Sequence, residues 1–388
     1  MIACPKCNDV GAIMKAGYIR GKQRFVCKNC NYYFTIPEVT SVSKKGKQRR
    51  HQSTIIDIAK AVGVSNSTVS RALNGHSDIS DDTKKLVLDM AASLDYQPNL
   101  LAYNLAKSRT NTIGMIVPEF FNPFFPNVIS GVHEILTKAG YNLTFMQSNE
   151  SYNTEAANTQ AMLANRVDGL LISLTQETNN FDHLAVFEKR GIPMILFNRV
   201  CEGINVPKVV VDDFEASFKA VEHLILNGYE RIAHLGGPLS LMISQERLRG
   251  YKAALEKYGK PVDESMIIHG MLTQQKARIY GQFLLDLPER PDAIFAVNDS
   301  AAIEIMLLAK ERGISIPNEL GIVGFSDNPE SAYIGPGLTT IRQPTKEMGA
   351  TMANWVLDML DNEFAEIPDW KILQSELIIR GSSKRGRS

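Results

Sequence analysis

Apolar positions along this chain follow two different rhythms. From Thr112 onward, short apolar runs alternate with longer amphipathic stretches. Ile113–Val117, Asn142–Phe145, Gly169–Ile172 and Pro193–Phe197 read as buried parallel strands, with helices over 126–139, 154–166 and 181–190 between them. A second set follows at Val209–Val211, Arg231–Leu235, Met266–Ile268, Ala293–Val297 and Leu320–Val323. Its helices fall near 214–227, 244–258, 275–285 and 299–312. Regular alternation of strand and helix predicts a doubly wound α/β architecture, and two such sets predict two lobes with a ligand cleft between them.

The stretch from Ser53 to Gly75, STIIDIAKAVGVSNSTVSRALNG, has the other rhythm. Thr54 with Asp57 makes a capping-box start, and Ile55, Ile58 and Ala59 form one apolar face of a short helix. Gly63 suits a sharp turn, Ser65 caps a second helix, and Asn74-Gly75 stops it. Val64, Val69 and Leu73 point inward, which leaves Asn66, Ser67, Ser70 and Arg71 outward, with donors and acceptors suited to base edges and phosphates. A third helix starts at Ser80, with Leu86, Val87, Met90, Ala91 and Leu94 expected in its core face. This is a helix-turn-helix pattern.

Composition changes the picture at the N-terminus. The 388 residues carry 42 basic and 42 acidic side chains, so net charge is zero. Residues 1–52 nevertheless hold eleven basic side chains against Asp9 and Glu38. A basic arm on an acidic body points to a polyanion contacted through one end. No apolar run is long enough to span a membrane, and MIACPKCNDVGA lacks a secretory apolar region, so a cytoplasmic protein with no membrane partner is expected.

Four of the five cysteines, Cys4, Cys7, Cys27 and Cys30, form two C-x2-C pairs. In a chain without a secretion signal this spacing predicts a Cys4 site for one structural zinc ion. A 36-residue segment has too little core to fold without it. Residues 37–52, PEVTSVSKKGKQRRHQ, lack apolar periodicity and read as a flexible basic linker. No paired carboxylates, Ser-His-Asp order or HExxH motif stands out, so no catalytic residue and no enzyme activity are expected.

DIAKAVGVSNSTVSRALNG resembles the signature of the lactose/galactose repressor (LacI/GalR) family. The likeness continues through YQPN, NPFFPNVISGV, VDGLLI, IPMILFNR, RIAHLGGP, RLRGYKAAL, IFAVND, GFSDNP, LTTIRQP and SELIIRGSS, over roughly residues 53–381. The resemblance implies a periplasmic-binding-protein-like α/β domain behind an all-α headpiece. It implies a homodimeric transcription regulator, most simply a repressor, whose grip on an operator in double-stranded DNA is set by a small, sugar-like effector. DNA contacts would fall on Ser65, Asn66, Ser67, Thr68, Ser70, Arg71, Asn74, Tyr96 and Asn99. A hinge helix over 100–106 would present Leu105 as a wedge in the minor groove. Effector contacts would fall on Phe124, Phe125, Asn198, Arg247, Asn298 or Asp299, and Ser326 with Asp327. Three positions depart from the family pattern: Tyr103 replaces the usual Arg, and Asn198 and Ser326 replace usual acids. A solute sensor, or a regulator answering to a partner protein with weak operator binding, is the alternative.

KAGYIRGKQRFVCKNCNYYFTIP separately resembles zinc ribbons that open some insertion-sequence transposases. It implies a basic, aromatic face from Arg20, Lys22, Gln23, Arg24, Phe25 and Lys28 that binds DNA or a protein. The expected layout is a zinc ribbon at 1–36, linker at 37–52, headpiece at 53–98, hinge at 99–110 and the two-lobed domain at 111–383. Lobe one would take about 111–210 plus 340–370, and lobe two about 211–339 plus 371–383.

Overall fold

A computed structural model describes residues 2–19, 22–35, 53–97, 109–270, 273–362 and 365–385. The expected linker at 37–52, together with Arg20, Asn99, Tyr103 and Leu105, lies outside the described residues. The chain divides into two compact units at residues 99 and 100.

The first unit opens with a three-stranded antiparallel sheet, β1 (Ile13–Ile19), β2 (Lys22–Cys27) and β3 (Tyr33–Thr35), in the order β1-β2-β3. Phe25 and Phe34 face each other across β2 and β3, their ring centroids 6.0 Å apart. The headpiece follows as α1 (Ile55–Val62), α2 (Asn66–Leu73) and α3 (Asp81–Ser93). Ile58, Ala59, Val69, Ala72, Val87 and Ala91 are its buried core. Leu86 was expected in that core but is 53% exposed. It sits one residue, about 100° of helix turn, from Val87, which turns it away from the core that Val87 joins.

The second unit is α/β. Its first sheet has the order β14-β8-β7-β6-β4-β5 and is parallel throughout. The strands are β4 (Thr112–Val117), β5 (Asn142–Gln147), β6 (Gly169–Ile172), β7 (Met194–Phe197), β8 (Lys208–Val211) and β14 (Trp370–Leu373). Helices α4 (Phe124–Lys138), α5 (Tyr152–Ala164), α6 (Asp182–Lys189) and α12 (Thr345–Asp361) flank it. The second sheet has the order β10-β9-β11-β12, from β9 (Ile232–Gly236), β10 (Ile267–His269), β11 (Ala293–Ala296) and β12 (Gly321–Val323). Around it pack α7 (Asp213–Leu226), α8 (Met242–Lys257), α9 (Gln274–Leu285), α10 (Asp299–Glu311) and the short α11 (Glu330–Tyr333). Strand burial is continuous, as expected when helices cover both faces.

Two sets of residues change lobe relative to the expected boundaries. Strand β13 (Thr340–Arg342) pairs antiparallel with β15 (Glu376–Ile378), and Thr339 and Arg342 bridge to Val323 and Ser326, so both strands belong to lobe two. Trp370–Leu373 instead pairs with Lys208–Val211 in the lobe-one sheet. The crossings therefore lie after Gln343 and after Leu373, where the backbone changes hydrogen-bonding partner. Helix α12, absent from the sequence reading, packs on α4 at a close approach of two glycines. A Cβ on Gly131 would meet the Lys346 carbonyl at 2.5 Å, and one on Gly349 the Val128 carbonyl at 2.3 Å.

Candidate functional site

Three sites emerge from the residues upward. In the headpiece, the Asp57 carboxylate accepts from the Thr54 amide at 2.8 Å and its hydroxyl at 2.7 Å, which closes the N-terminus of α1. Gly63 turns the chain at φ 77°, a left-handed conformation that suits glycine. Ser65 then caps α2 by accepting from the Thr68 amide at 3.1 Å, and its hydroxyl meets those of Ser67 and Thr68 at 2.8 Å. The N-terminal tip of α2 thus presents Ser65, Asn66 and Ser67 exposed, with Thr68 half-buried behind them. At the other end the Asn74 amide donates to the Ser70 carbonyl at 2.8 Å, and Arg71 pairs with Asp78. Both arrangements hold the C-terminal end of α2. Tyr96 is partly buried: its ring packs against the headpiece core, and burial raises its phenol pKa.

In the β1–β3 module, the Cys4, Cys7, Cys27 and Cys30 sulfurs lie within 4.8 Å of one another. Cys4 and Cys30 are 3.5 Å apart, and Cys7 and Cys27 are 3.6 Å apart. A tetrahedron of thiolates about 2.3 Å from a central ion has edges of about 3.8 Å, close to these spacings. The two knuckles repeat each other. The Cys4 amide donates to the Asp9 carbonyl at 2.9 Å and the Cys27 amide to the Tyr32 carbonyl at 3.0 Å. Each pair ends in a left-handed asparagine, Asn8 at φ 60° and Asn31 at φ 48°. Asp9 accepts from the Gly11 amide and from the Asn29 side chain, so it links one knuckle to the other. The four sulfurs lie close enough together to bind one metal ion.

In the α/β unit, an interlobe cleft of about 810 Å³ lies between the C-terminal ends of the two sheets. Six of the expected residues line it: Phe124, Phe125, Asn198, Arg247, Asn298 and Ser326. Phe124 and Phe125 form one wall, edge to face at 5.1 Å. Asn198 follows β7 in a left-handed turn at φ 57°. Arg247 is buried and fully engaged. Its guanidinium holds the Asp213 carboxylate at 2.8 and 2.7 Å, donates to the Val297 carbonyl at 2.6 Å, and stacks 3.6 Å above the Phe325 ring. Asn298 caps α10 through the Ala301 amide at 2.8 Å, and the Ser326 hydroxyl accepts from Gln343 at 3.2 Å.

Two expected contacts are corrected. Asp299 is completely buried away from the cleft and accepts from the Asn328 amide, the Ser331 hydroxyl and the Thr340 hydroxyl at 2.7, 2.7 and 2.5 Å. Burial raises its carboxyl, and those three donors work against the rise. Asp327 also turns away, into ion pairs with Arg342 and Arg380 at 2.7 Å. The sequence reading missed Glu119, Gln147, Glu150, Gln176, Arg199 and Gln343, which also line the cleft. Arg199 is held by both oxygens of Glu150 at 2.7 and 2.8 Å. Glu119 is raised by burial, partly offset by the Asn122 amide that it accepts from. The lobes touch at one side of the cleft, where the Ser240 hydroxyl donates to the Gln176 carbonyl at 3.0 Å.

These features agree with what the chain is similar to. The family described as periplasmic binding proteins and sugar binding domain of LacI family matches residues 110–380, and bacterial regulatory proteins, lacI family, matches 54–99. Catabolite control protein A of Priestia megaterium is 32% identical over 80% of this chain and 93% of its own length. The HTH-type transcriptional repressor CytR of Escherichia coli strain K12 is 31% identical over 88% and 99%. The structure of the lac repressor dimer bound to operator and the anti-inducer ONPF superposes with a TM-score of 0.77 at 24% identity, over 85% of this chain and 99% of that one.

Proposed function

Because the chain belongs to the LacI family of bacterial regulatory proteins, a DNA-binding transcriptional regulator controlled by a small-molecule effector, we propose the following reading of its parts. It is a cytoplasmic homodimeric repressor that reads a near-palindromic operator, since a two-fold dimer meets two half-sites. Asn66 and Ser67 read bases. Ser65, Thr68, Ser70, Arg71 and Asn74 orient the helix and hold phosphates. The observation that carries this is the exposed, hydroxyl-capped tip of α2 on a closed three-helix headpiece. Among the described residues no helix is long and apolar enough to cross a membrane.

The effector on this reading is an uncharged, sugar-like molecule. Arg199 and Arg247 already hold Glu150 and Asp213, so neither guanidinium is available to a phosphate or carboxylate. Carboxamides and hydroxyls at Gln147, Gln176, Asn198, Asn298, Ser326 and Gln343 remain, suited to sugar hydroxyls beside the Phe124 and Phe125 wall. When the cleft closes on such a ligand, the lobes change their mutual geometry, and only a ligand that prefers one geometry changes DNA affinity.

The test is selection of genomic fragments by the purified protein. Two-fold sites are expected, with enrichment falling at least about tenfold for Asn66→Ala, the loss of one base-reading side chain. Neutral saccharides are expected to change retention of the selected fragment, and their phosphorylated forms to do so less. Asymmetric sites, or an indifferent Asn66→Ala, would return the solute-sensor reading.

The four thiolates hold one structural zinc ion on this reading. The closed Cys4 set leaves no open position, and in a module this small the metal supplies the folding free energy. Cys27→Ser is expected to lower bound zinc from one per chain to near zero and to unfold the β1–β3 module. The melt of the headpiece and α/β unit should stay in place. Retention of a full zinc equivalent would refute the ligand assignment.

A further inference from the structure

We propose that one face of the β1–β3 sheet is a second DNA-contacting surface, which holds duplex phosphates beside the site read by the headpiece. This rests on the reading of the chain as a DNA-binding regulator. The sequence run Lys22 to Phe25 looks like one mixed basic and aromatic patch, but the register separates it. Gln23 and Phe25 lie opposite Tyr18 and Phe34, on the face where the Phe25, Phe34 and Tyr32 rings stack. Lys22, Arg24 and Val26 lie opposite Ile19, Thr35 and Tyr33, on the other face. There the Arg24 guanidinium sits 4.3 Å above the Tyr33 ring, which is itself half exposed. Lys22 is exposed beside it, and Met14 and Ile19 complete an open apolar floor.

Charge complementarity selects the occupant. Among the described residues 2–19 and 22–35, Lys6, Lys15, Lys22, Arg24 and Lys28 face a single acid, Asp9. Asp9 is consumed by the knuckle amides, so among the described residues no acid lies on the Lys22 and Arg24 face. An aromatic ring that pins a guanidinium on a sheet face bare of acids suits a polyanion with flat, greasy edges. Chain length permits the contact. Seventeen residues separate Thr35 from Ser53, a reach of at most about 60 Å, or roughly 17 base pairs of flank. Five of those residues, Lys44, Lys45, Lys47, Arg49 and Arg50, are basic.

The test uses the full-length, zinc-loaded protein and a random-sequence 60-base-pair duplex, with binding measured across salt. Lys22→Ala with Arg24→Ala is expected to flatten the slope of log K against log salt by about 1.8 per bound protomer, two fewer phosphate contacts. Lys15→Ala, on the opposite face, should leave the slope within about 0.3. Lys22→Arg with Arg24→Lys keeps both charges and should restore it, which separates charge from fold, and zinc content reports that each variant is intact. An unchanged slope in the double variant overturns the proposal and points to a protein partner. Equal losses from Lys15→Ala overturn the assignment to this face. Failure of the headpiece reading shows separately, as Asn66→Ala leaving fragment selection intact while the Lys22 and Arg24 effect persists.

Discussion

Asp213→Ala is expected to destabilise lobe two by about 3–5 kcal/mol, read as a drop of at least about 1 M in its urea midpoint. The carboxylate is almost fully buried at the start of α7, and its loss strands the Arg247 guanidinium among Val297, Phe325 and the cleft wall. A cation taken from water without its counter-charge carries the full desolvation penalty. Removing one partner therefore costs more than the pair contributes. The corollary separates stability from signalling. Asp213→Leu with Arg247→Met removes both charges and should recover most of the lost stability, because an apolar pair of similar volume replaces an expensive ion pair. The effector response should stay lost, since Arg247 is the residue that ties α7 and α8 to the cleft at Val297. A midpoint for Asp213→Ala within a few tenths of a molar of the parent would mean that water reaches Arg247 and that the pair is not the buried clamp described.

How much of this was legible in the sequence differs by element. The nine expected strands of the α/β unit were found because parallel strands covered on both faces are short and uniformly apolar, as in Met194–Phe197. The cysteine cluster was legible because chemistry fixes the spacing of a knuckle. Helix α12 was not, because its inward stripe is Met348, Met352, Ala353 and Val356, interrupted by Gly349, and only the contact with Gly131 shows why a glycine belongs there. Asn298 and Asp299 could not be separated from sequence. Asn298 caps α10 with extended backbone at the cleft, whereas Asp299, one residue on, rotates into the segment at 328–340. Ser326 and Asp327 separate similarly, because positive φ at both residues sends consecutive side chains to different partners. The glutamine lining escaped because Gln147, Gln176 and Gln343 come from three distant segments, with no local pattern to join them.

Acidification is expected to weaken lobe two through His234, a central residue of β9. Its ring is fully buried between Tyr251 and Phe295, each centroid 5.1 Å away. One nitrogen, Nδ1, lies 3.1 Å from the Phe295 carbonyl. The other, Nε2, has no hydrogen-bond partner among the described residues, and the neighbouring His269 ring, 6.4 Å away, is no acceptor for a second charge. Burial pushes the His234 pKa down to about 3, and the Phe295 carbonyl only partly opposes this, while His269 and Arg247 reinforce it. The unfolded chain takes up this proton near pH 6.5, whereas the folded chain refuses it until about pH 3. Stability is therefore fully present above pH 6.5 and falls by about 1.4 kcal/mol per unit as pH drops through that window. Carboxylates held by lysine and arginine, such as Glu222 and Asp286, add to the wild-type slope at its acid end. Comparison with His234→Asn isolates the histidine, since the amide cannot titrate and can still donate to Phe295. Between pH 6.5 and 5 the variant should lose about one proton's worth less stability per pH unit than the parent, by urea unfolding at each pH. Parallel pH profiles would show that His234 is protonated in the folded lobe, and that its buried environment holds a counter-charge not seen among its neighbours.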